Sequence, residues 1–321
     1  MLGLTIGNFD GVHLGHRALL DLARGETAGE MAGEAAGETG EPGEVVAVTF
    51  EPAPAVVLGL PETPRILTAR ERSRRLREAG ADRVLELETT PELLALDPEA
   101  FIDDLLDRVG GPVARIVEGP DFRFGHARAG SVETLRELGV ARGYEVVVAE
   151  ERRVRLVDGL EVPARSSVVR RLLELGRVED AARVLGRPHA LVGTVVRGDQ
   201  RGRTIRIPTA NLDLAGAMLP GDGVYAGIAT LPDGDRKPAA ISIGTKPTFI
   251  ETPRVAEVHV LDWDGVLDDY GWSIEATLDR RLRGQERYDG LEPFLAQLER
   301  DLDQVRRVAA SILQSPTGAT T

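Results

Sequence analysis

Gly7-Asn8-Phe9-Asp10-Gly11-Val12-His13-Leu14-Gly15-His16 is the stretch on which the fold turns. The apolar run Leu2 to Ile6 precedes it and the helical pattern Arg17-Ala18-Leu19-Leu20-Asp21-Leu22-Ala23 follows. That order reads as strand, tight turn, helix. A helix beginning near Val12 places His13 and His16 three residues apart on one face. The N-terminus of such a helix offers N–H groups and partial positive charge, which suits a phosphate. Gly11 and Gly15 let a ligand approach the backbone closely. Two imidazoles on a phosphate-seeking turn suit attack at a nucleotide's α-phosphate. They donate to the oxygens as charge builds up, and no covalent intermediate is needed. An isolated H-x-x-H would read as a capping residue and helix-surface histidines. The strand and glycines around this one favour nucleotide chemistry.

With 321 residues the chain is long enough for two domains, and its 42% hydrophobic and 28% charged content is ordinary for a globular protein. A net charge of −13 argues against a general nucleic-acid binder. There is no cysteine, which excludes disulfides, thiolate catalysis and cysteine metal sites. The five histidines form no zinc-type cluster beyond the first pair. No apolar run approaches a membrane span and no signal peptide is visible, so a cytoplasmic location without membrane partners is expected. The composition sets no expectation of oligomeric state.

Residues 25–44 repeat Gly-Glu with alanine and threonine between, and read as a solvated, low-complexity insertion. Val45 to Phe50 reads as a buried strand that exits through Glu51-Pro52-Ala53-Pro54. Helices are expected over 68–79, 97–109 and 131–142, and strands over 84–87, 114–117 and 144–149. Alternating strands and helices imply a mostly parallel, Rossmann-like sheet with helices on both faces and ligands at the strands' C-terminal ends. Ser166-Ser167 opens a further helix. Serine there is an ordinary cap, or, with Arg170, an anion cradle for a nucleotide's phosphates.

The texture changes near 186–190, where the domain boundary is placed: 1–186, 187–313, and a polar tail over 314–321. Strand-like runs over 191–196, 224–230, 238–243, 254–261 and 272–278 suggest a small antiparallel barrel, and 291–312 an amphipathic helix covering it. Gly198-Asp199-Gln200-Arg201-Gly202-Arg203 reads as a hairpin turn or as a loop whose N–H groups meet phosphates. Thr209 and Asn211 carry neutral oxygens on one side of an extended segment, which suits Mg²⁺ bridging phosphates.

These motifs resemble, over nearly the whole chain, the bifunctional riboflavin kinase/FAD synthetase (FMN adenylyltransferase) family. The resemblance is carried by Gly7 to His16 with its H-x-G-H core, Thr49-Phe50-Glu51-Pro52-Ala53-Pro54, Gly119-Pro120-Asp121-Phe122-Arg123-Phe124-Gly125, Ser166 to Arg170, Pro208-Thr209-Ala210-Asn211, Gly223-Val224-Tyr225-Ala226, Gly244 to Phe249, and Glu257-Val258-His259. It implies an H-x-G-H nucleotidyltransferase domain followed by a riboflavin kinase barrel with a C-terminal helix. The implied reactions use ATP and Mg²⁺ to phosphorylate riboflavin to FMN and adenylylate FMN to FAD. By resemblance, Glu257 is the kinase's base and His13 and His16 are catalytic in adenylyl transfer. Gly7, Phe9, Asp10, Gly15, Asp121, Ser166, Ser167, Arg170, Gly198 and Gly202 bind nucleotide, Tyr225 and Arg283 bind flavin, and Thr209 and Asn211 hold the metal. Read without the resemblance, Arg283 is a surface salt bridge and Glu257 a solvated carboxylate.

The sequence departs from the family pattern in places. Met1 opens almost directly into the first strand, where the family has a short lead-in, so either the start is misplaced or an edge segment is lost. Ala53 stands where the family has histidine, Arg206 where it has glycine, and Gly284-Gln285 where it has an acidic pair; one extra residue sits in 267–271. Ala53 and the short start motivate the alternative of a riboflavin kinase with a weakened or inactive adenylyltransferase domain. A non-catalytic flavin- or nucleotide-binding regulator is the third reading, and the retention of both H-x-G-H and Pro-Thr-Ala-Asn with Glu257 argues against it.

Overall fold

The structure, a computed structural model, describes residues 1–25, 43–198, 207–245, 254–265 and 269–314. The insertion's central residues, Gly202, Arg206, Lys246 to Phe249, part of the 267–271 departure, and all but the first residue of the tail lie outside them. The chain divides into two compact units, Met1–Arg153 with Pro163–Ser166, and Val154–Val162 with Ser167–Thr321.

In the first unit, β1 (Leu2–Ile6), α1 (Leu14–Arg24), β2 (Glu44–Glu51), α2 (Pro54–Val57), α3 (Ala69–Glu78), β3 (Arg83–Glu88), α4 (Pro91–Ala95), α5 (Pro98–Val109), β4 (Val113–Glu118), α6 (Val132–Arg142) and β5 (Glu145–Val148) follow in order. The strands form a parallel sheet in the order β3-β2-β1-β4-β5. β1 and most of β2 are buried along their length, as a sheet covered on both faces requires. Leu2, Leu4 and Ile6 join a core with Phe101, Ile102 and Leu105 of α5 and Leu135 of α6. On the other face, Gly3 lies against the backbone of Ala23 in α1. Strand order reverses between β1 and β4, so the crevice expected to take a ligand opens at their carboxyl ends.

One sequence expectation is corrected here. α1 starts at Leu14 rather than near Val12. Phe9 and Val12 take left-handed backbone, with φ of 46° and 45°, and no helix can pass through them. His13 is extended and caps the helix from outside it.

A short hairpin, β6 (Arg153–Arg155) and β7 (Glu161–Pro163), leads to α7 (Ser166–Glu174) and α8 (Val178–Leu185). Both helices lie largely in the second compact unit, upstream of the sequence boundary at 186. Then come β8 (His189–Val196), β9 (Ala210–Asp213), β10 (Gly223–Thr230), β11 (Arg236–Gly244), β12 (Val255–Val260), β13 (Ser273–Leu278), β14 (Arg280–Arg283) and α9 (Leu291–Leu313). The order β11-β12-β9-β8-β13-β10 closes through β10 pairing with β11, giving an antiparallel barrel of six strands, and β14 adds to β10. β8, β12 and β13 alternate buried and partly exposed residues, as barrel walls must. β9 and β14 escaped the sequence reading. One is four residues long behind a proline, and the other is Arg-Arg-Leu-Arg.

α9 packs Val305 onto Ala226 and Leu261. It also carries a buried charge: Asp301 accepts from the Arg283 guanidinium at 2.9 Å and from Gln297 at 2.8 Å. Removing one member of a buried ion pair leaves the other desolvated and uncompensated. Asp301→Ala should therefore lower the unfolding free energy of this unit by about 3 kcal/mol, read from denaturant unfolding, whereas Asp303→Ala on the exposed face of α9 should change it by less than about 1 kcal/mol.

Candidate active sites

The turn after β1 is built as a nested set of hydrogen bonds. The His13 side chain accepts from the His16 amide through Nδ1 at 3.3 Å, while the His13 carbonyl takes the amides of His16 and Arg17. Nδ1 as acceptor puts the proton of a neutral His13 on Nε2. The two imidazoles stack with centroids 3.6 Å apart, and the ring of Phe9 meets His16 edge-on at 5.1 Å. Phe9 is 2% exposed, so its ring lies behind His16 rather than in a nucleotide's path. Gly15 has a different reason from the one expected: a Cβ there would stand 2.7 Å from the Ala164 carbonyl. The close approach is made by the protein's own backbone. Gly7 similarly lies under the Phe9 ring.

Asp10 is committed to structure as well. Its carboxylate accepts the amides of Ile66 and Leu67 at 3.0–3.1 Å, and its carbonyl accepts the Ser166 hydroxyl at 2.6 Å. Ser166 is thus a brace on the turn. Ser167 and Arg170 lie on α7 in the second unit. Asp121 is exposed and pairs with Arg165 at 3.2 Å, and its loop is pinned by Phe122 stacked on Phe124. Ala53 caps α2 with no side-chain bond.

Two residues of this site were missed by sequence reasoning. Arg72 on α3 is buried and donates to the carbonyls of Asn8 and Phe50 and to Glu51 and Glu86, tying together the exits of β1, β2 and β3. Its place four residues before the buried Leu76 was the available signal. Glu118 ends β4, 2% exposed. The β1–β4 register stops at Leu4 opposite Ile116, and beyond it the Ile6 amide donates to Glu118 Oε1 at 2.6 Å. Burial pushes this carboxyl well above the ordinary carboxylate range, against the opposing pull of the Ile6 N–H.

In the barrel, β12 pairs with β9 so that Glu257 lies opposite Asn211. Thr209 immediately precedes β9 and is exposed, while Asn211 is buried. A Cβ on Gly198 would overlap the Asn211 amide, so this glycine exists to make room for Asn211. The structure therefore brings Glu257, Asn211, Thr209 and Gly198 together. It does not add Tyr225 as a flavin contact: the ring is wholly buried and its hydroxyl donates to the Gly221 carbonyl. Arg283, held by Asp301 and lying 5.8 Å from the Tyr288 ring, is a staple between β14 and α9. Among the described residues no group of three or more His, Asp or Glu could hold a metal on its own.

The riboflavin kinase family matches residues 185–309 and the FAD synthetase family residues 2–157. The bifunctional riboflavin kinase/FMN adenylyltransferase of Escherichia coli K12 is 36% identical over 300 residues, covering 93% of this chain and 90% of that protein. Proteins of the same name from Pseudomonas fluorescens and Bacillus subtilis are 34% and 30% identical, covering 95% and 96% of this chain and 92% and 93% of their own lengths. A solved chain from Streptococcus pneumoniae, described as a macrolide-efflux protein, matches with a TM-score of 0.77 and 27% identity, covering 95% of this chain and 93% of its own. No helix among the described residues here is long and apolar enough to cross a membrane.

Glu118→Gln keeps an acceptor for the Ile6 amide and cannot ionise. The wild-type carboxyl holds its proton more tightly folded than unfolded, so its contribution to stability is full below the ordinary carboxylate pKa. It falls by about 1.4 kcal/mol per pH unit as pH rises from there to the raised folded value. Thermal unfolding over a pH series rising from the ordinary carboxylate range should show the wild type losing stability relative to the variant as pH rises. A constant gap would mean that the carboxyl titrates normally.

Proposed function

The chain belongs to the bifunctional riboflavin kinase/FMN adenylyltransferase family, and on that premise we propose which of its residues carry each reaction. It phosphorylates riboflavin with ATP to give FMN, and transfers AMP from a second ATP to FMN to give FAD and pyrophosphate.

In the kinase reaction the Glu257 carboxylate accepts the proton of riboflavin's primary hydroxyl. The hydroxyl oxygen bonds to the γ-phosphorus of ATP, and the bond to the ADP oxygen breaks. The position of Glu257 opposite Asn211 across two paired strands carries this assignment. The oxygens of Thr209 and Asn211 fit Mg²⁺, a hard cation that takes few protein ligands and completes its shell with phosphate and water. Bound there, Mg²⁺ would supply neutralisation of phosphate charge. Gly198 is assigned to the phosphates, as by motif is Gly202, which lies outside the described residues, and Arg283 and Tyr225 shape the flavin's surroundings from behind.

In the adenylyl transfer a phosphate oxygen of FMN attacks the α-phosphorus of ATP and pyrophosphate leaves. His13 Nε2 and His16 donate to the α-phosphate oxygens, helped by the partial positive charge at the start of α1. Within the first unit Gly7, Gly15, Asp121 and Ser166 are assigned to the nucleotide, and Phe9, Asp10 and Arg72 hold the histidine turn; Ser167 and Arg170, on α7 of the second unit, keep their nucleotide-binding role on the motif alone. The functional division is placed at 1–186 and 187–313, and the enzyme in the cytoplasm, where ATP is supplied.

Chromatography of flavins after incubation with riboflavin, ATP and Mg²⁺ tests the assignments. Glu257→Gln should slow FMN formation at least about 100-fold while leaving FMN-to-FAD conversion largely intact. An unchanged kinase rate would remove Glu257 from the mechanism. His16→Ala should slow FAD formation about 100-fold and spare FMN formation. Accumulation of FMN by the wild type, without FAD, would favour the weakened adenylyltransferase and point to Ala53.

A further inference from the structure

His259 stands two residues beyond the kinase base and has no part in the chemistry above. β12 turns Ala256, Val258 and Val260 into the barrel, so Glu257 and His259 share its other face. The β9–β12 ladder runs from Leu212 opposite Ala256 to Ala210 opposite Val258, and there it stops. The next residues upstream are Thr209 and Pro208. Proline has no N–H and cannot continue a ladder, so the backbone that leads into Thr209 must be held by something else. His259 Nδ1 lies 2.8 Å from the Pro208 carbonyl oxygen. A carbonyl only accepts, so the imidazole donates from Nδ1. The imidazole is half-buried, and burial lowers its pKa, favouring the neutral ring. The bond survives protonation all the same, because Nδ1 carries a proton in either form.

We propose that His259 is a positioning residue for the metal-binding segment of the kinase: by holding the Pro208 carbonyl it fixes the peptide into Thr209, and with it the spacing of the Thr209 and Asn211 oxygens. The inference rests on the reading of Thr209 and Asn211 as Mg²⁺ ligands. Thr209 sits outside the ladder, and the imidazole contact is what extends strand-like order by the two residues needed to reach it. Asn211, paired within the ladder and packed on Gly198, is held without help. The two oxygens are thus fixed by different means, and only one depends on His259.

The test uses the full chain and Mn²⁺ as the probe, with ADP present and no turnover, read by electron paramagnetic resonance, together with hydrogen exchange over residues 207–213. His259→Leu removes the donor; His259→Asn places an amide N–H near the position of Nδ1. His259→Leu should weaken Mn²⁺ binding about tenfold, the size expected for one lost hydrogen bond, and speed exchange over 207–213. His259→Asn should recover most of both. FMN-to-FAD conversion, performed by the other unit, should stay at the wild-type rate in both variants and so report an intact fold. If His259→Leu leaves Mn²⁺ binding and exchange unchanged while Thr209→Ala weakens Mn²⁺, the inference fails and the metal reading stands. If Thr209→Ala also leaves Mn²⁺ binding unchanged, the metal reading fails and takes the inference with it.

Discussion

Where the central strands of the parallel sheet part, backbone N–H groups are left facing a gap, and a buried N–H must find an acceptor. The Ile6 amide is the sharpest case. The β1–β4 pairing has stopped at Leu4, and Glu118 of β4 supplies a carboxyl oxygen in place of a backbone carbonyl. The neighbouring groups follow suit: Asp10 takes two amides from the segment before α3, Arg72 takes the carbonyls of Asn8 and Phe50, and Ser166 takes the carbonyl of Asp10. Each such bond contributes about 1 kcal/mol net, yet leaving its buried partner unmade costs about 1–3 kcal/mol, so together they fix the path of the turn that carries the histidines.

The barrel meets the same constraint at its own site. The ladder between β9 and β12 ends at a proline, and a side chain completes it. At the neighbouring edge, Gln285 donates to the Ile243 carbonyl and the Ser242 hydroxyl, giving the departure from the family's acidic pair a definite structural use. Both candidate sites therefore lie where regular backbone pairing stops. That is also where groups remain that a ligand can address, and the side chains that close the remaining gaps keep the site in one geometry.

The fold was largely legible because its signals are repetitive. Apolar runs such as Val45 to Phe50 and helical stripes such as 97–109 declare buried strands and covering helices. Short or charged elements gave no such signal: Ala210–Asp213 is too brief to show alternation, and Arg280–Arg283 is a strand by pairing alone. At the sites, residue types were legible and their tasks were not. Gly15 and Gly198 invited a ligand explanation, yet the atoms that fill the missing Cβ positions belong to Ala164 and Asn211. Tyr225 and Arg283 were found by motif, and tertiary packing turned them inward. Arg72 and Glu118 were passed over because a charged residue in a helix or at a strand end is usually solvated, and only the three-dimensional crowding of strand exits makes these two buried.

The two reactions also explain why the chain uses two kinds of support. A general base must reach one proton at one distance, and a residue in the middle of a paired strand has little freedom to miss it; the proposed base, Glu257, sits between β11 and β9 with partners on both sides. Stabilising charge on an α-phosphate asks instead for several donors converging on a small volume. A helix start provides this, because partial positive charge gathers there and the capping residue stands beside it. His13 caps α1 through Nδ1, and that cap sets which nitrogen carries the proton. On the proposed role of His13 the capping bond would bear on the chemistry, since a His13 released from the His16 amide would lose both its orientation and its preference for the Nε2–H form.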